Sequence, residues 1–518
     1  MDKYKFLWTF GGFCDDETIK KCSKLFSEHY GQWSKENPLG LTGNVKLSES
    51  RIRDLLCRED TCLYYAVDII TNDLVGYAIA LRTRIKHYGV FSWVTQLVVH
   101  TDHRNKGIAK KLLFSIWGLS NDYAWGIITS NPYAVRALEK ATRRRSIPIR
   151  IKKKIDTIID IGSKNISYIN ESTKYVIDND HAKVDTRFYV SHDSITEKLM
   201  KVISEEKPWL LGELDEGWEW IAFTFNCQEQ ISLSKNEIQE MIESSQDVVK
   251  LAYSRMNITK KQMWMQHTNQ EVSYIIEDSK ICQGGTVIDF GCGSGRHSIA
   301  FKELGYNVIA VDYVEQNIEN LKCNNDINAI LADCRNVNLE QRADVILCLY
   351  DVVGSFTDID DNISIIKNIY NHLKLDGVAY ISVMNFELTS QIAKNRFSFN
   401  SDPNALLCLP ASDTMEKTGD IFNPEYMLVD DVEKIVYRKE QFQECKELPI
   451  EMIVRDRRFT KDEIVQLCSK VGFFVEYAHY VSASNWNDNL ESTDLHAKEI
   501  LLKCKKRGKN NENGKYYI

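Results

Sequence analysis

The chain has 518 residues, a net charge of −8, and 43% hydrophobic and 27% charged residues. This length exceeds what one hydrophobic core usually supports, so two or three domains are expected. The acidic balance argues against a protein that simply coats nucleic acid, and no apolar run is long enough for a membrane span. The start lacks the apolar region of a secretory signal, and the fourteen cysteines form no C-x-x-C pair. We therefore expect a cytoplasmic protein without disulfides or a metal site.

The first third of the chain has the spacing of a mixed α/β domain, which we place at 1–155. Apolar side chains recur at helical intervals or in strand-like runs, with a turn signal between the first two runs. The predicted elements in chain order are helices at 16–35 and 48–57, strands at 63–67, 74–80 and 94–99, a helix at 108–117, a strand at 125–129 and a further helix after Pro132.

Residues 156–245 are harder to interpret. Strand-like runs at 157–161, 188–190 and 220–225 surround a helix-like stretch at 195–203. We predict a connecting α+β region. Its alternatives are completion of the first domain and a substrate lid.

From 246 to 506 the pattern changes to a regular strand–helix alternation. Strands are expected at 286–290, 307–311, 328–331, 344–349 and 378–384, with helices between them. This alternation predicts a Rossmann-like, doubly wound and mainly parallel sheet. The polar tail at 507–518 is expected to fray.

The loop after the run at 94–99 carries the first chemical signal. Gly107 and Ala109 let the backbone approach a ligand closely, and the helix that follows presents free N–H groups at its positive end. Lys106, Lys110 and Lys111 add positive charge, so the loop suits a phosphate-rich group. The cofactor-binding residues predicted here are Val98, Val99, Arg104, Asn105, Lys106, Gly107, Ile108, Ala109 and Lys110.

Arg104-x-x-Gly107-x-Ala109 resembles the Q/R-x-x-G-x-G/A loop of the GNAT acetyltransferases, and it follows an apolar strand as in that family. The resemblance covers roughly residues 1–150 and implies acetyl-CoA. Its pyrophosphate would lie on the backbone of 104–110 and its pantetheine between the strands ending at Val99 and Thr129. A backbone N–H near Val98 or Val99 would stabilise the developing oxyanion.

Two departures from this family concern catalysis. Many members place a tyrosine, the general acid, seven residues after the asparagine, but Leu138 occupies that position here. Tyr133 is the candidate substitute, beside Asn131 in a segment that resembles the family's. No acidic residue stands on the strand before Val98 as a base. A domain that only binds CoA or substrate therefore remains an alternative.

A second glycine loop ends the strand at 286–290. The run Asp289-x-Gly291-x-Gly293-x-Gly295 permits a tight turn under a ligand, and Asp312 ends the next strand, where a ribose diol would be held. The cofactor-binding residues predicted here are Asp289, Gly291, Cys292, Gly293, Gly295, Asp312, Tyr313, Asp333, Cys334, Leu349 and Tyr350.

This set resembles the class I S-adenosylmethionine (SAM) methyltransferases over about 265–505, which implies SAM as the methyl donor. His297, Tyr350 and Asp351 are the candidate catalytic residues, with Asn385 and Glu387 also near the expected acceptor. Because the sulfonium is already reactive, alignment can suffice, and a base is needed only for a protonated acceptor.

The residues after the fourth strand narrow the acceptor. They read Tyr350-Asp351-Val352-Val353-Gly354-Ser355, without the D/N-P-P-Y/F motif of enzymes that methylate exocyclic amines of bases. We predict a bifunctional transferase that acts on a small-molecule, peptide or nucleoside acceptor. The alternatives are a methyltransferase with a silent front domain and, less favoured, a nucleic-acid factor that docks through the basic stretch at 143–154.

Overall fold

The computed structural model describes residues 3–58, 60–86, 88–170, 172–191, 195–203, 207–242, 263–325, 327–443, 449–482 and 485–506. The chain divides into two compact units. Unit 1 consists of Met1–Val248 with Gln443–Met452, and unit 2 consists of Val249–Phe442 with Ile453–Ile518. The predicted boundary at 246 and the tail at 507–518 lie outside the described residues.

Unit 1 is built on one eight-stranded sheet. Its elements are β1 (Tyr4–Phe10), α1 (Asp16–His29), α2 (Glu49–Leu56), β2 (Thr61–Asp68), β3 (Leu74–Ile85), β4 (Gly89–Val99), α3 (Ile108–Trp117), β5 (Ala124–Thr129), α4 (Pro132–Thr142), α5 (Pro148–Lys152), α6 (Ile155–Asn165), β6 (Tyr175–Ile177), β7 (Ala182–Asp185), α7 (Ile195–Val202), β8 (Trp218–Phe225) and a helix, α8, at 235–242.

The sheet order in unit 1 is β1-β2-β3-β4-β5-β8-β7-β6, and β4 and β5 are the parallel neighbours among antiparallel pairs. Helices α1 and α2 bury apolar side chains against β2, β3 and β4 in one core cluster. Asp15 and Ser48 cap these helices by accepting hydrogen bonds from backbone N–H groups three residues later. Helix α1 ends at His29, earlier than the end predicted at residue 35.

The separate connecting region predicted at 156–245 is wrong as a domain. Its strands β6, β7 and β8 extend the sheet of unit 1, because β8 pairs with β5 from Ala124↔Phe225 to Thr129↔Trp220. This pairing covers the edge that β5 would otherwise expose. Completion of the first domain, one of the alternatives, is what the structure has.

Two strands predicted in this region also differ. The run 157–161 lies within helix α6, and 188–190 contributes one bridge, between Val190 and Trp33. The β-branched isoleucines favour a strand locally, but Ile158 and Ile161 are three residues apart and are both buried on one helical face. Gly162 lets that face approach Trp93, because an added Cβ would lie 3.2 Å from the indole ring.

Unit 2 is a doubly wound sheet with an inserted second sheet. Its elements are α9 (Thr268–Ser279), β9 (Thr286–Phe290), α10 (Arg296–Glu303), β10 (Asn307–Asp312), α11 (Glu315–Asn325), β11 (Asn328–Leu331), β12 (Ala343–Cys348), α12 (Ile359–His372), β13 (Leu373–Met384), α13 (Phe386–Ile392), α14 (Ala405–Cys408), β14 (Ala411–Ser412), α15 (Thr414–Lys417), β15 (Met427–Asp430), β16 (Ile435–Gln443), β17 (Pro449–Arg457), α16 (Lys461–Val471), β18 (Phe474–Ser482), β19 (Asn485–Leu490) and β20 (Glu499–Lys505).

The main sheet of unit 2 has the order β11-β10-β9-β12-β13-β20-β18-β19, with β9 to β13 parallel and β20 antiparallel to β13. The five strands predicted from the sequence are confirmed, and β13 begins five residues earlier, at Leu373. The order reverses between β9 and β12, so their carboxyl ends flank the crevice where such sheets bind ligands.

A small sheet of β14, β16, β15 and β17 lies in the chain between β13 and α16. The last residue of β16 and the first four of β17 belong to the segment Gln443–Met452, which is assigned to unit 1. Among the described residues, no helix combines the length and apolar character needed to cross a bilayer.

Candidate functional site

The glycine loop of unit 2 is shaped by backbone that side chains rarely allow. Gly291, Gly293 and Gly295 all have positive φ, and the N–H groups of Gly291 and Cys292 donate to the carbonyl of Val311 at 2.8 and 3.0 Å. An added Cβ on Gly291 would lie 2.4 Å from the side chain of Val352, so this position admits only glycine without a shift.

Asp312 fastens this loop to the end of β10. Its Oδ2 accepts from the Gly293 N–H at 2.8 Å, and its Oδ1 accepts from the Val314 N–H at 2.8 Å. Burial raises the pKa of Asp312, while these two N–H groups oppose the rise. The carboxylate thus lies where the glycine loop meets the end of β10.

Asp289 organises the loop from below. Its Oδ2 accepts from the Ser298 hydroxyl of α10 at 2.6 Å, and burial raises its pKa. A Cβ on Gly293 would meet nothing within 4 Å, so the loop has open space on that side. A glycine cradle with open space, next to carboxylate acceptors for hydroxyl groups, fits the adenosine portion of SAM.

The end of β12 brings Tyr350 and Asp351 to the same crevice. Tyr350 has φ +68° and its N–H donates to the Ser382 hydroxyl. A bulky residue in this conformation is strained, a feature that clusters at functional sites. Burial and the charge of Asp456 raise the pKa of Asp351.

Glu271 of α9 is a site residue that the sequence analysis missed. Its carboxylate accepts from the guanidinium of Arg296 at 2.5 Å, from His297 Nε2 at 2.8 Å and from the Tyr350 hydroxyl at 2.7 Å. Burial opposes its ionisation, but His297 and Arg296 hold its pKa below the usual value. His297 is buried in this cluster, where it positions α10 and Tyr350. The only sequence signal is an acid on the apolar face of α9, four residues before Ile275.

Glu499 at the start of β20 was also missed. It is 3% exposed, and burial raises its pKa to about 8 although the Ser382 hydroxyl bonds to it. Its Oε2 is buried without a hydrogen bond within the described part of the chain. Ser382 thus links this carboxyl to the backbone of Tyr350.

The other residues predicted for this site differ in their hydrogen bonding and in their exposure to solvent. Asp333 forms a bidentate pair with Arg335, with N···O distances of 2.6 to 3.1 Å, so its carboxylate is engaged. Tyr313 is 47% exposed, whereas Cys292 and Leu349 are buried and Cys334 is half-buried.

Asn385 and Glu387 connect the start of α13 to distant parts of the chain through hydrogen bonds. The Asn385 side chain caps this helix and donates to the carbonyls of Ser492 and Ala497. Glu387 accepts from the Tyr480 hydroxyl at 2.9 Å.

Unit 1 has a gap in its sheet at the predicted coenzyme site. The pairing between β4 and β5 runs from Phe91↔Ala124 to Val94↔Ile127, yet the strands continue to Val99 and Thr129. Thr95 is skipped in the register between β3 and β4, which marks a bulge. Beyond it, the edge of β4 that faces β5 carries backbone groups without strand partners among these described residues.

The turn after β4 opens toward helix α3. Asn105 and Gly107 have positive φ, Gly107 is the N-cap residue, and an added Cβ there would meet nothing within 4 Å. Ile108 is buried against Gly76, which fixes the helix on β3, and Ala109 follows it in the first turn. The first N–H groups of α3 therefore point from an uncrowded loop, which fits a phosphate group.

The cations predicted around this turn are partly committed elsewhere. Arg104 donates to the carbonyls of Val99 and His29, and Lys106 donates to that of Asp102 at 2.6 Å. Lys110 pairs with Glu240 of α8 at 2.5 Å. Backbone N–H groups are thus the main donors that the turn offers.

The two catalytic candidates of unit 1 begin helix α4. The Asn131 side chain accepts from the Tyr133 N–H at 3.1 Å and so caps the helix. Tyr133 is 42% exposed, and Leu138 is fully buried at the position where the resemblance expects a tyrosine.

Two arginines of the basic stretch at 143–154 have structural contacts, whereas Arg150, Lys152 and Lys153 are exposed. Arg144 is buried, donates to the carbonyls of Thr142 and Asn226, and lies over the ring of Trp125 at 4.9 Å. Arg145 pairs with Glu139 at 3.0 Å. These contacts remove two of the three consecutive arginines from a docking surface.

The family comparison concerns unit 2, which has an α/β fold with a mainly parallel sheet. Residues 256–406 match the family model described as tellurite resistance protein TehB. A cypemycin N-terminal methyltransferase from Streptomyces sp is 30% identical over 101 residues, 19% of this chain and 41% of that protein. A TehB protein from Haemophilus influenzae (strain 10810) is 33% identical over 108 residues, 20% of this chain and 37% of its own length.

The chain thus spans less than half the length of these relatives. A crystal structure of a SAM-dependent methyltransferase from Clostridium acetobutylicum ATCC 824 is 15% identical, with a TM-score of 0.36, over 47% of this chain and 92% of that chain. The family match and the two sequence relatives support a TehB-like, SAM-dependent methyltransferase domain at residues 256–406.

Proposed function

We propose that unit 2 transfers the methyl group of SAM to a nitrogen or oxygen of a small-molecule, peptide or nucleoside acceptor. The observation that carries this proposal is the Asp312 carboxylate, bonded to the Gly293 N–H at the reversal point of the sheet. When bound, SAM supplies a methyl group on a positively charged sulfur.

The residues of this site have distinct tasks in the proposal. Asp312 and the glycine loop hold the adenosine portion, and Tyr350, tied to Glu271, closes the crevice beside it. We assign the half-buried carboxyl of Asp351 and the buried carboxyl of Glu499 to the acceptor side. Their raised pKa values suit them to take a proton from an acceptor that arrives protonated.

For unit 1 we propose acetyl transfer from acetyl-CoA to an amine, which makes the chain bifunctional. The gap between β4 and β5 beyond Val94 and the open Gly107 turn support this proposal. The turn would hold the diphosphate, and the unpaired edge of β4 near Val98 and Val99 would bind the pantetheine and the oxyanion. When bound, acetyl-CoA supplies an activated thioester.

A second candidate function for unit 1 is binding without catalysis. The buried Leu138 and the capping role of Asn131 favour it, because neither can protonate a departing thiolate. The half-exposed hydroxyl of Tyr133 is the remaining candidate acid at this end of α4.

One experiment tests both proposals together. The full-length protein is incubated with SAM, with acetyl-CoA or with both, against small molecules, peptides and nucleosides, and products are followed by mass spectrometry. Methylated products that require SAM and acetylated products that require acetyl-CoA are expected. Methylation alone, with CoA binding retained, would favour the silent front domain, and neither product nor cofactor binding would refute the bifunctional proposal.

A further inference from the structure

A buried carboxyl group lies where the gap in the sheet of unit 1 opens. Glu219 on β8 precedes Trp220, which pairs with Thr129, the last residue of β5. Its side chain is therefore level with the carboxyl end of β5, where β4 and β5 no longer pair. Glu219 is only 7% exposed. Neither the proposed methyl transfer nor the proposed acetyl transfer assigns a role to the Glu219 carboxyl.

The surroundings of Glu219 leave its charge without a counterion. The Thr186 hydroxyl and the Ser130 N–H donate to it, and burial raises its pKa to about 7. Burial raises the pKa of the Tyr30 and Tyr168 phenols, and the charge of Glu219 adds to the rise, so both phenols lie within its electrostatic reach. It forms no ion pair within the described residues. A buried carboxylate without a cation is costly, and such groups concentrate at functional sites.

Aromatic side chains stand on the same side. The ring centroid of Phe188 lies 5.9 Å from Tyr30 and 5.4 Å from Trp33. The two segments that carry these rings are joined, because the Ser34 N–H donates to the Tyr189 carbonyl at 2.9 Å. Aromatic faces next to one carboxylate attract an organic ammonium ion, through its charge and through its apolar body.

We propose that the acceptor of unit 1 is a primary amine, bound as its ammonium ion against Tyr30, Trp33 and Phe188, with Glu219 as the carboxylate that takes its proton. This inference rests on the acetyl transfer proposed for unit 1. It supplies the base that β4 lacks, from a strand at the other side of the gap.

Glu219 takes one proton from the ammonium ion, and the freed nitrogen lone pair forms a bond to the acetyl carbon. The carbon–sulfur bond breaks, and its electron pair leaves on sulfur. The second nitrogen proton ends on that sulfur as the CoA thiol, and Glu219 releases its proton to water. The net products are an amide, CoA thiol and one proton.

The test uses the full chain with acetyl-CoA and 2-phenylethylamine, and measures thiol release as a function of pH. For the wild type, kcat/KM is expected to rise with pH through about 7, because Glu219 must be ionised to accept the proton. Glu219→Gln is expected to lower kcat/KM by about 100-fold or more and to abolish that rise. Glu216→Gln, an exposed acid three residues away, is the matched control and should behave as wild type.

Calorimetry distinguishes a failure of this inference from a failure of the acetyl transfer proposed for unit 1. With CoA bound, the wild type is expected to bind 2-phenylethylamine at least tenfold more tightly than 2-phenylethanol, and Glu219→Gln should lose that preference. Unchanged CoA affinity in Glu219→Gln shows that the variant is folded. No amine preference in the wild type, or an unaltered pH profile in Glu219→Gln, would overturn the inference, whereas absence of CoA binding in the wild type would overturn acetyl transfer itself.

Discussion

Both units contain a strand-to-helix turn at glycine, but the side chains around the two turns carry opposite charges. In each, a strand bends at glycine into a helix, at Gly107 before α3 and at Gly291–Gly295 before α10. The first turn offers backbone N–H groups among cations, whereas the second holds the buried carboxylates of Asp289 and Asp312. A helix start with free N–H groups suits a diphosphate, and adding a carboxylate at the next strand end selects hydroxyls instead.

The second turn is also more tightly built than the first. An added Cβ at Gly291 would lie 2.4 Å from Val352, and one at Gly295 would lie 2.2 Å from Leu321, whereas one at Gly107 has open space. The helix that follows in unit 2 is further fixed through Glu271. Perturbations should therefore be more costly in unit 2.

The largest expected effect comes from Glu271→Ala. It removes the carboxylate that forms the ion pair with the buried guanidinium of Arg296, and breaking such a pair typically costs about 3–5 kcal/mol. Hydrogen–deuterium exchange across α10 in increasing denaturant measures this loss. Glu277→Ala, an exposed acid on the same helix, is the control. A loss no larger than that of the control would contradict the structural role of the cluster.

The comparison of the two turns predicts unequal effects of alanine. Gly291→Ala combines left-handed backbone strain with the clash against Val352, about 2–4 kcal/mol together. Gly107→Ala meets the strain alone, about 1–2 kcal/mol. Exchange protection of α10 and α3 reports each loss separately. Equal losses at both positions would mean that the crowding at Gly291 relaxes freely.

Asp312→Asn tests the carboxylate that distinguishes the second site. Loss of charge-assisted hydrogen bonds of about 1.5–3 kcal/mol lowers the affinity for adenosylhomocysteine by about 10- to 100-fold. Titration calorimetry measures it, and CoA affinity in the same protein should not change. Asp333→Asn, whose carboxylate is held by Arg335, should have a smaller effect. Unaltered affinity in Asp312→Asn would refute its role toward the ribose.

The smallest expected effect concerns pH. Folding raises the pKa of Glu499 to about 8, so its contribution to stability is present below its unfolded pKa of about 4.3 and is lost as pH rises toward 8. Glu499→Gln removes this loss. Relative to wild type, its Tm should be higher at pH of about 8.5 than at about 5.5. A constant difference between the two proteins would show that Glu499 ionises normally.

Much of unit 2 could be predicted because its signals are local. Parallel strands buried on both faces appear as continuous apolar runs, and Gly291, Gly293 and Asp312 have fixed positions relative to those runs. The strand predicted at 157–161 is wrong because the local signal there differs from the element that forms. Its isoleucines have local strand preference, and only the burial of Ile158 and Ile161 on one face shows that their helical spacing prevails.

The sequence by itself determined the two strand-to-helix turns and the acids beside the second, because each depends on residues within one or two turns of chain. The tertiary structure alone decided which distant side chains meet them. Glu271 reaches Tyr350 across 79 residues, and β8 brings Glu219 beside β5 from about 90 residues away. Such contacts depend on strand order and on burial of the whole sheet, and neither leaves a periodic trace in the chain.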